Sequence, residues 1–149
     1  MPYFAYCTLL DTGEMQRFVP TAQTGATGRI TDYRVVFERH GPGVETGGCN
    51  LSLDEGQTVH GVLYNLTDEE FRQLDAISGV EHDLYRRFAV QVQTDAGVVD
   101  AETYVIPDPG GQFQPTAAYT RPILAGARAL GLPGEYVSTL AALVRDATA

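Results

Sequence analysis

Tyr3-Phe4-Ala5-Tyr6-Cys7-Thr8-Leu9-Leu10 opens the chain as an apolar, aromatic run that meets a turn at Asp11-Thr12-Gly13. Such a run reads as a buried strand over residues 2–9 that feeds directly into a sharp reversal. Residues 14–18 have the length of one helical turn. Tyr33, Val35 and Phe37 recur at period two and mark a half-buried strand over residues 28–39. His40-Gly41-Pro42-Gly43 breaks it. Residues 48–53 and 58–66 read as two more strands, joined by a hairpin-type turn at Asp54-Glu55-Gly56-Gln57.

Thr67-Asp68-Glu69-Glu70 has the form of a capping box, with the Thr67 hydroxyl accepting from the Glu70 N–H and the Glu70 carboxylate reaching back. The helix it starts carries Phe71 and Leu74 inward and ends near Ala76 or Ile77, where Gly79 permits a reversal. Residues 84–94 form a long strand, Ala96-Gly97 a turn, and residues 98–106 the antiparallel partner. A Pro/Gly loop follows over residues 107–115. Residues 116–130 read as a helix with Ile123, Leu124, Ala127 and Leu130 on one face, stopped by Gly131 and Pro133. Residues 135–146 read as a last helix, with Val137, Leu140, Leu143 and Val144 on its inner face. The order predicts an α+β fold: a small mixed or antiparallel β-barrel of about six strands with flanking helices, as one domain over residues 1–149.

Composition sets the bounds. The chain has 149 residues, enough for one domain with a real core. Apolar residues make up 44% and charged residues 19%, a globular balance and not a disordered one. No apolar stretch approaches the roughly 18 residues of a membrane span. A basic n-region and a small-residue cleavage site are missing at the start, so a cytoplasmic protein is expected. Two cysteines make no disulfide framework, and Cys7 and Cys49 are expected to be free thiols. The net charge of −9 repels phosphate backbones, so nucleic acid is not an expected partner. All ten basic residues are arginine, which fits a high-GC bacterial genome and carries no functional information.

Local motifs for chemistry are few. His40, His60 and His82 show no metal-ligand spacing with one another or with the cysteines. No phosphate loop is present, and Gly41-Pro42-Gly43 is only a turn. Cys7 paired with a histidine would make a nucleophile, but a small buried thiol is the commoner reading of a cysteine at a strand end. The segment from Leu74 to Tyr85 is more specific: a helix ends, the chain reverses, and polar residues collect before a buried strand. Such a junction presents backbone N–H groups and side chains at a barrel edge, or is simply a solvated acidic loop.

Four elements in order carry a resemblance. Phe4-Ala5-Tyr6-Cys7-Thr8-Leu9-Leu10 is similar to Phe-Ala-Tyr-Gly-Ser-Asn-Leu. Val59-His60-Gly61-Val62-Leu63-Tyr64 is similar to Val-x-Gly-x-Leu-Tyr. Leu74-Asp75 through Gly79-Val80 to Tyr85 is similar to Leu-Asp-x-x-Glu-Gly-x(n)-Tyr. Tyr119 through Gly131-Leu132-Pro133-Gly134-Glu135-Tyr136 is similar to a Tyr-x(n)-Gly-Leu-Pro-x-Glu-Tyr tail. Together they span nearly the whole chain and resemble the γ-glutamyl cyclotransferase family, the AIG2-like group.

That resemblance implies a small barrel and a cofactor-free intramolecular acyl transfer on a small-molecule ligand. In it the α-amine of a γ-glutamyl group attacks its own γ-carbonyl and releases 5-oxoproline. Five-membered ring closure supplies high effective molarity, so the protein needs only a base and a cradle for the carboxylate and oxyanion. The resemblance places the cradle at Tyr6, Cys7, Thr8, Leu9 and Leu10, a ligand-contacting tyrosine at Tyr119, and the base at Ser78. Tyr85 is expected to buttress the loop.

Ser78 stands where the family has its glutamate, and a serine hydroxyl is no base near neutral pH. Loss of a general base costs about 10²–10⁴ in rate. Cys7, Thr8 and Leu9 replace Gly, Ser and Asn, which removes access to φ > 0, adds bulk and makes the mouth more apolar. Glu81, three residues beyond Ser78, is the best substitute base, with His82, Asp83 and Glu38 as further options. The expected function is therefore a divergent cyclotransferase-like activity with a relocated base. The alternatives are a repurposed isomerase, lyase or cyclase, and a non-catalytic ligand-binding relative. A monomer or homodimer is expected, with no membrane partner.

Overall fold

The computed structural model describes residues 1–148. Five strands are present: β1 (Pro2–Ala5), β2 (Thr24–Arg39), β3 (Gly47–Asn65), β4 (Arg86–Thr94) and β5 (Gly97–Val105). They close a barrel in the order β1-β3-β2-β4-β5. Neighbours are antiparallel except where Tyr3 of β1 lies parallel to Glu102 of β5 and completes the ring. Four helices flank it: α1 (Thr12–Phe18), α2 (Asp68–Ser78), α3 (Ala117–Ala129) and α4 (Gly134–Thr148). The mixed barrel with flanking helices is the architecture expected from the pattern.

The strand count differs from six because β3 runs unbroken through Asp54-Glu55-Gly56-Gln57. Thr31 pairs with Thr58 and Tyr33 with Leu53, so residues 54–57 of β3 stand opposite Asp32 alone. Asp32 takes a left-handed conformation at φ 73°, and its Oδ1 accepts from the Gly56 N–H at 3.0 Å. Gly56 itself sits at φ 88°. The turn chemistry is real, but it builds a bulge that bends a long ribbon and not the end of a strand.

The aromatic residues of β1 anchor the core. Phe4, Tyr64 and Phe71 are fully buried. The Tyr3 ring meets Tyr64, Phe71 and Tyr104 at centroid distances of 6.2, 5.9 and 5.6 Å. Burying each such side chain stabilises the fold by about 1.5–3 kcal/mol. Phe71 and Leu74 lay α2 against the barrel. The start of α2 is fixed locally: Thr67 Oγ1 accepts from the Glu70 N–H at 3.1 Å, and Glu70 Oε1 accepts from the Thr67 N–H at 2.8 Å. Its end is set by Gly79 at φ 73°.

Two contacts position what lies at the barrel mouth. Asp75 of α2 accepts from Arg87 of β4 at 2.9 and 2.7 Å, which holds the C-terminal half of α2 on the sheet. Gly126 of α3 lies directly on the backbone of Leu10 and Asp11, with no room for a Cβ. The close approach brings α3 down on the turn that follows β1.

Candidate functional site

The turn after β1 is a single 3₁₀ turn, Thr8–Leu10, closed by Leu10 N–H on Cys7 O at 3.1 Å and Asp11 N–H on Thr8 O at 3.3 Å. Hydroxyls clamp it on both sides. Tyr6 donates to Tyr104 O at 2.8 Å, and Tyr64 donates to Leu9 O at 2.7 Å. Asp11 then caps α1 by accepting from Gly13 and Glu14 N–H at 2.9 and 3.2 Å. Cys7 has φ −127°, so the chain makes this turn without a left-handed residue where the related motif carries glycine.

Cys7 and Cys49 are not free thiols: they form a disulfide, with Cα atoms 6.2 Å apart. Closure of the barrel puts the turn after β1 beside the start of β3, a neighbourhood that sequence separation does not disclose. Closing a loop of 42 residues stabilises a fold by about 3–4 kcal/mol in the chain-entropy account. The bond lies among tyrosines. Tyr85 donates to Cys49 O at 2.8 Å, the Cys49 N–H donates to the Tyr119 hydroxyl at 3.1 Å, and the Tyr119 hydroxyl lies 3.7 Å from Cys7 Sγ. Gly48 is required beside them, since a Cβ there would run into both hydroxyls.

A cavity of about 250 Å³ opens at this place. The turn supplies Tyr6, Cys7, Thr8 and Leu9. The end of α2 supplies Leu74, Ile77 and Ser78. Tyr3, Phe18, Cys49, Tyr85, Tyr104 and Tyr119 complete the wall. No aspartate, glutamate, histidine or arginine lines it. Its polar side chains carry hydroxyls: Thr8, Ser78 and the tyrosines.

Those tyrosines stay protonated. Burial raises the Tyr6 hydroxyl well above its ordinary range, and nearby tyrosines raise it further. Burial raises Tyr85 in the same way. Tyr104 is raised by burial and by its bond to Asp75, which accepts from the Tyr104 hydroxyl at 2.5 Å. Tyr119 is raised by burial, partly offset by the Cys49 N–H. None of them is a base at neutral pH, and each is a donor or a neutral acceptor. For Asp75, burial works to raise the carboxyl, but the Arg87 and Tyr104 bonds outweigh it and hold it below its ordinary value. It is an ionised, fully engaged acceptor outside the cavity wall.

Among the residues picked out from sequence, the structure brings Tyr6, Cys7, Thr8, Leu9, Ser78 and Tyr119 to one cavity. It does not bring Leu10 or Glu81 there. Leu10 is fully buried in the core beneath the turn. Glu81 is exposed on the 3₁₀ turn Val80–His82 and is not part of the wall. His82 and Asp83 are likewise exposed, and Glu38 lines a different depression on the ribbon, where it accepts from Asn50 Nδ2 at 2.9 Å. Sequence reasoning missed Tyr3, Cys49 and Tyr104 as wall residues and cast Tyr85 only as a buttress. The second cysteine and the clustering of tyrosine in so short a chain were the available signals. Among the described residues, no group of three or more His, Cys, Asp or Glu side chains could hold a metal ion. Nor is any helix among them long and apolar enough to cross a membrane.

Comparison with known proteins agrees with the architecture. The human "Gamma-glutamylcyclotransferase" is 27% identical over 146 residues, covering 95% of this chain and 77% of that protein. The bovine protein of the same name is 28% identical over 143 residues, covering 93% of this chain and 76% of its own length. A solved "Gamma-glutamyl cyclotransferase" superposes with a TM-score of 0.87 at 26% identity, over 95% of this chain and 86% of that one. YkqA from Bacillus subtilis shares the fold at a TM-score of 0.80 and 22% identity, over 97% of this chain and 54% of that one. The model of the AIG2-like family matches residues 58–140, from the second half of β3 through α2 to α4. With more than half of its length under that model and the barrel, turn and cavity in place around it, this chain belongs to the AIG2-like, γ-glutamyl cyclotransferase family.

Proposed function

We propose that this protein holds a small acyl-amine or amide ligand in the tyrosine-lined cavity and does not supply the base needed to cyclise a γ-glutamyl group. One observation carries the reading: none of the residues lining the cavity is charged, Ser78 among them, the residue the resemblance aligns with the family's glutamate. A γ-glutamyl amine carries an ammonium and a carboxylate. Bringing both into an uncharged, partly apolar wall costs desolvation that no opposite charge repays. A neutral amide loses far less and finds hydroxyl partners in Thr8 and Ser78, the hydroxyls of Tyr6, Tyr85, Tyr104 and Tyr119 being engaged within the wall. The natural setting proposed is the cytoplasm.

The test is a binding and turnover panel on the purified protein. γ-Glutamyl-alanine and its uncharged analogue, with the α-amine acetylated and both carboxyls amidated, are compared by calorimetry, and 5-oxoproline is followed chromatographically. The proposal expects tighter binding of the uncharged analogue and no 5-oxoproline from the parent. Preferential binding of the charged parent, or its turnover, would overturn it.

A second reading is divergent acyl transfer with a relocated base. The similarity to γ-glutamylcyclotransferases over almost the whole chain supports it, as does the place of Glu81 three residues past Ser78. It requires the Val80–His82 turn to carry the Glu81 carboxylate from solvent into the cavity. Under that reading the wild type releases 5-oxoproline and Glu81→Gln abolishes release; background release in both rejects it.

A further inference from the structure

We propose that the Cys7–Cys49 disulfide is a thiol-exchange site inside the cavity, reached by small-molecule thiols without unfolding of the protein. The inference stands on the cavity and the bond, whatever ligand occupies the site. Both cysteines line the cavity wall, Cys49 as a member of the buried core and Cys7 packed against it, so the bond sits where the core meets a solvent-connected space. The two sulfurs are not equivalent. Cys49 is 2% exposed, whereas Cys7 is partly exposed on the turn. An incoming thiolate therefore meets Cys7 first, and Cys49 is the leaving sulfur. The Tyr119 hydroxyl accepts the Cys49 N–H, which leaves its proton for Cys7 Sγ at 3.7 Å.

The exchange balances as follows. A thiolate RS⁻ bonds to Cys7 Sγ and the Cys7–Cys49 bond breaks. Cys49 leaves with the electron pair and takes up a proton. A second thiolate, RS⁻, attacks the R sulfur of the mixed disulfide, forms RSSR, and leaves Cys7 as a thiolate that is then protonated. Two thiols are oxidised and one protein disulfide is reduced. The step severs the cross-link between the Thr8–Leu10 turn and β3, so a small thiol alters the wall that holds the ligand. In a reducing compartment, a disulfide in this setting is of the transient, redox-responsive kind.

The test uses the oxidised full-length protein under native conditions. It is incubated with 2-mercaptoethanol, or with a thiol-ended polyethylene glycol too bulky to enter the cavity. Samples are quenched in acidic denaturant with maleimide and mapped by mass spectrometry. Each rate is normalised to that thiol's rate with an unhindered peptide disulfide, and global unfolding is timed by hydrogen exchange. The expected result is a 2-mercaptoethanol adduct on Cys7 with maleimide on Cys49, formed faster than global unfolding. The polymer thiol should react at least about tenfold more slowly. Opening of the bond only at the global unfolding rate would make it a buried staple and overturn the proposal. So would equal normalised rates for the two thiols, or first attack at Cys49.

Discussion

The Tyr119 hydroxyl accepts a hydrogen bond from the backbone N–H of Cys49 at 3.1 Å, joining α3 to the start of β3 across the cavity wall. Tyr119→Phe keeps the ring and leaves that buried N–H without its acceptor. An unpaired buried donor costs about 1–3 kcal/mol, and a urea denaturation midpoint should fall accordingly. Tyr85→Phe is the matched control, because it deprives the Cys49 carbonyl of a donor, a smaller loss. Amide exchange at Cys49 should accelerate in the first variant and not in the second.

Gly126→Ala tests how the turn is held. The added methyl would fall on the backbone of Leu10 and Asp11, which cannot give way without moving the turn or lifting α3. Overpacking of this kind costs about 1–3 kcal/mol even though alanine is the better helix former. A thermal melt should show loss of stability. A gain would mean that α3 does not rest on the turn.

The Asp75–Arg87 pair makes a pH-dependent contribution with a defined sign. The folded-state carboxyl lies below its ordinary value of 3.8, so the unfolded chain takes up this proton first as pH falls. The stabilisation is full above the ordinary carboxyl range and is lost as pH drops through 3.8 toward the lower folded value. Both side chains are about a quarter exposed, so solvent screening trims the effect to about 1–2 kcal/mol. Unfolding free energies of wild type and Asp75→Asn should differ by that amount at pH 7 and converge in acid. A constant difference across the range would contradict the assignment.

Much of this was legible because it is local. Thr67 and Glu70 are three residues apart and cap each other whatever else the chain does. Gly79 and Gly131 sit at positive φ after α2 and α3, where a stop was expected. The long-range features were the obscure ones. Asp54-Glu55-Gly56-Gln57 has the composition of a hairpin turn, and only its partner Asp32 on the neighbouring strand makes it a bulge. The disulfide needed the closed barrel to bring Cys7 beside Cys49. At the site, Tyr6 to Leu9, Ser78 and Tyr119, far apart in sequence, line one cavity. Leu10 and Glu81 lay outside the cavity because side-chain direction on a 3₁₀ turn cannot be read from spacing. Tyr3 and Tyr104 entered the wall from β1 and β5, strands whose inward faces looked like ordinary core.

The most direct measurement is release of 5-oxoprolinamide from γ-glutamyl-alanine with both carboxyls amidated and the α-amine free, by wild type and by Ser78→Glu, side by side. Ser78 already lines the cavity, so the variant places a carboxylate where a base would act. The account predicts background release from the wild type and a rise of about 10²–10⁴ in the variant, the range expected from a restored general base. Equal rates in the two proteins would contradict it: both high would mean that a base acts from elsewhere, and both at background would mean that the cavity no longer fits the reaction.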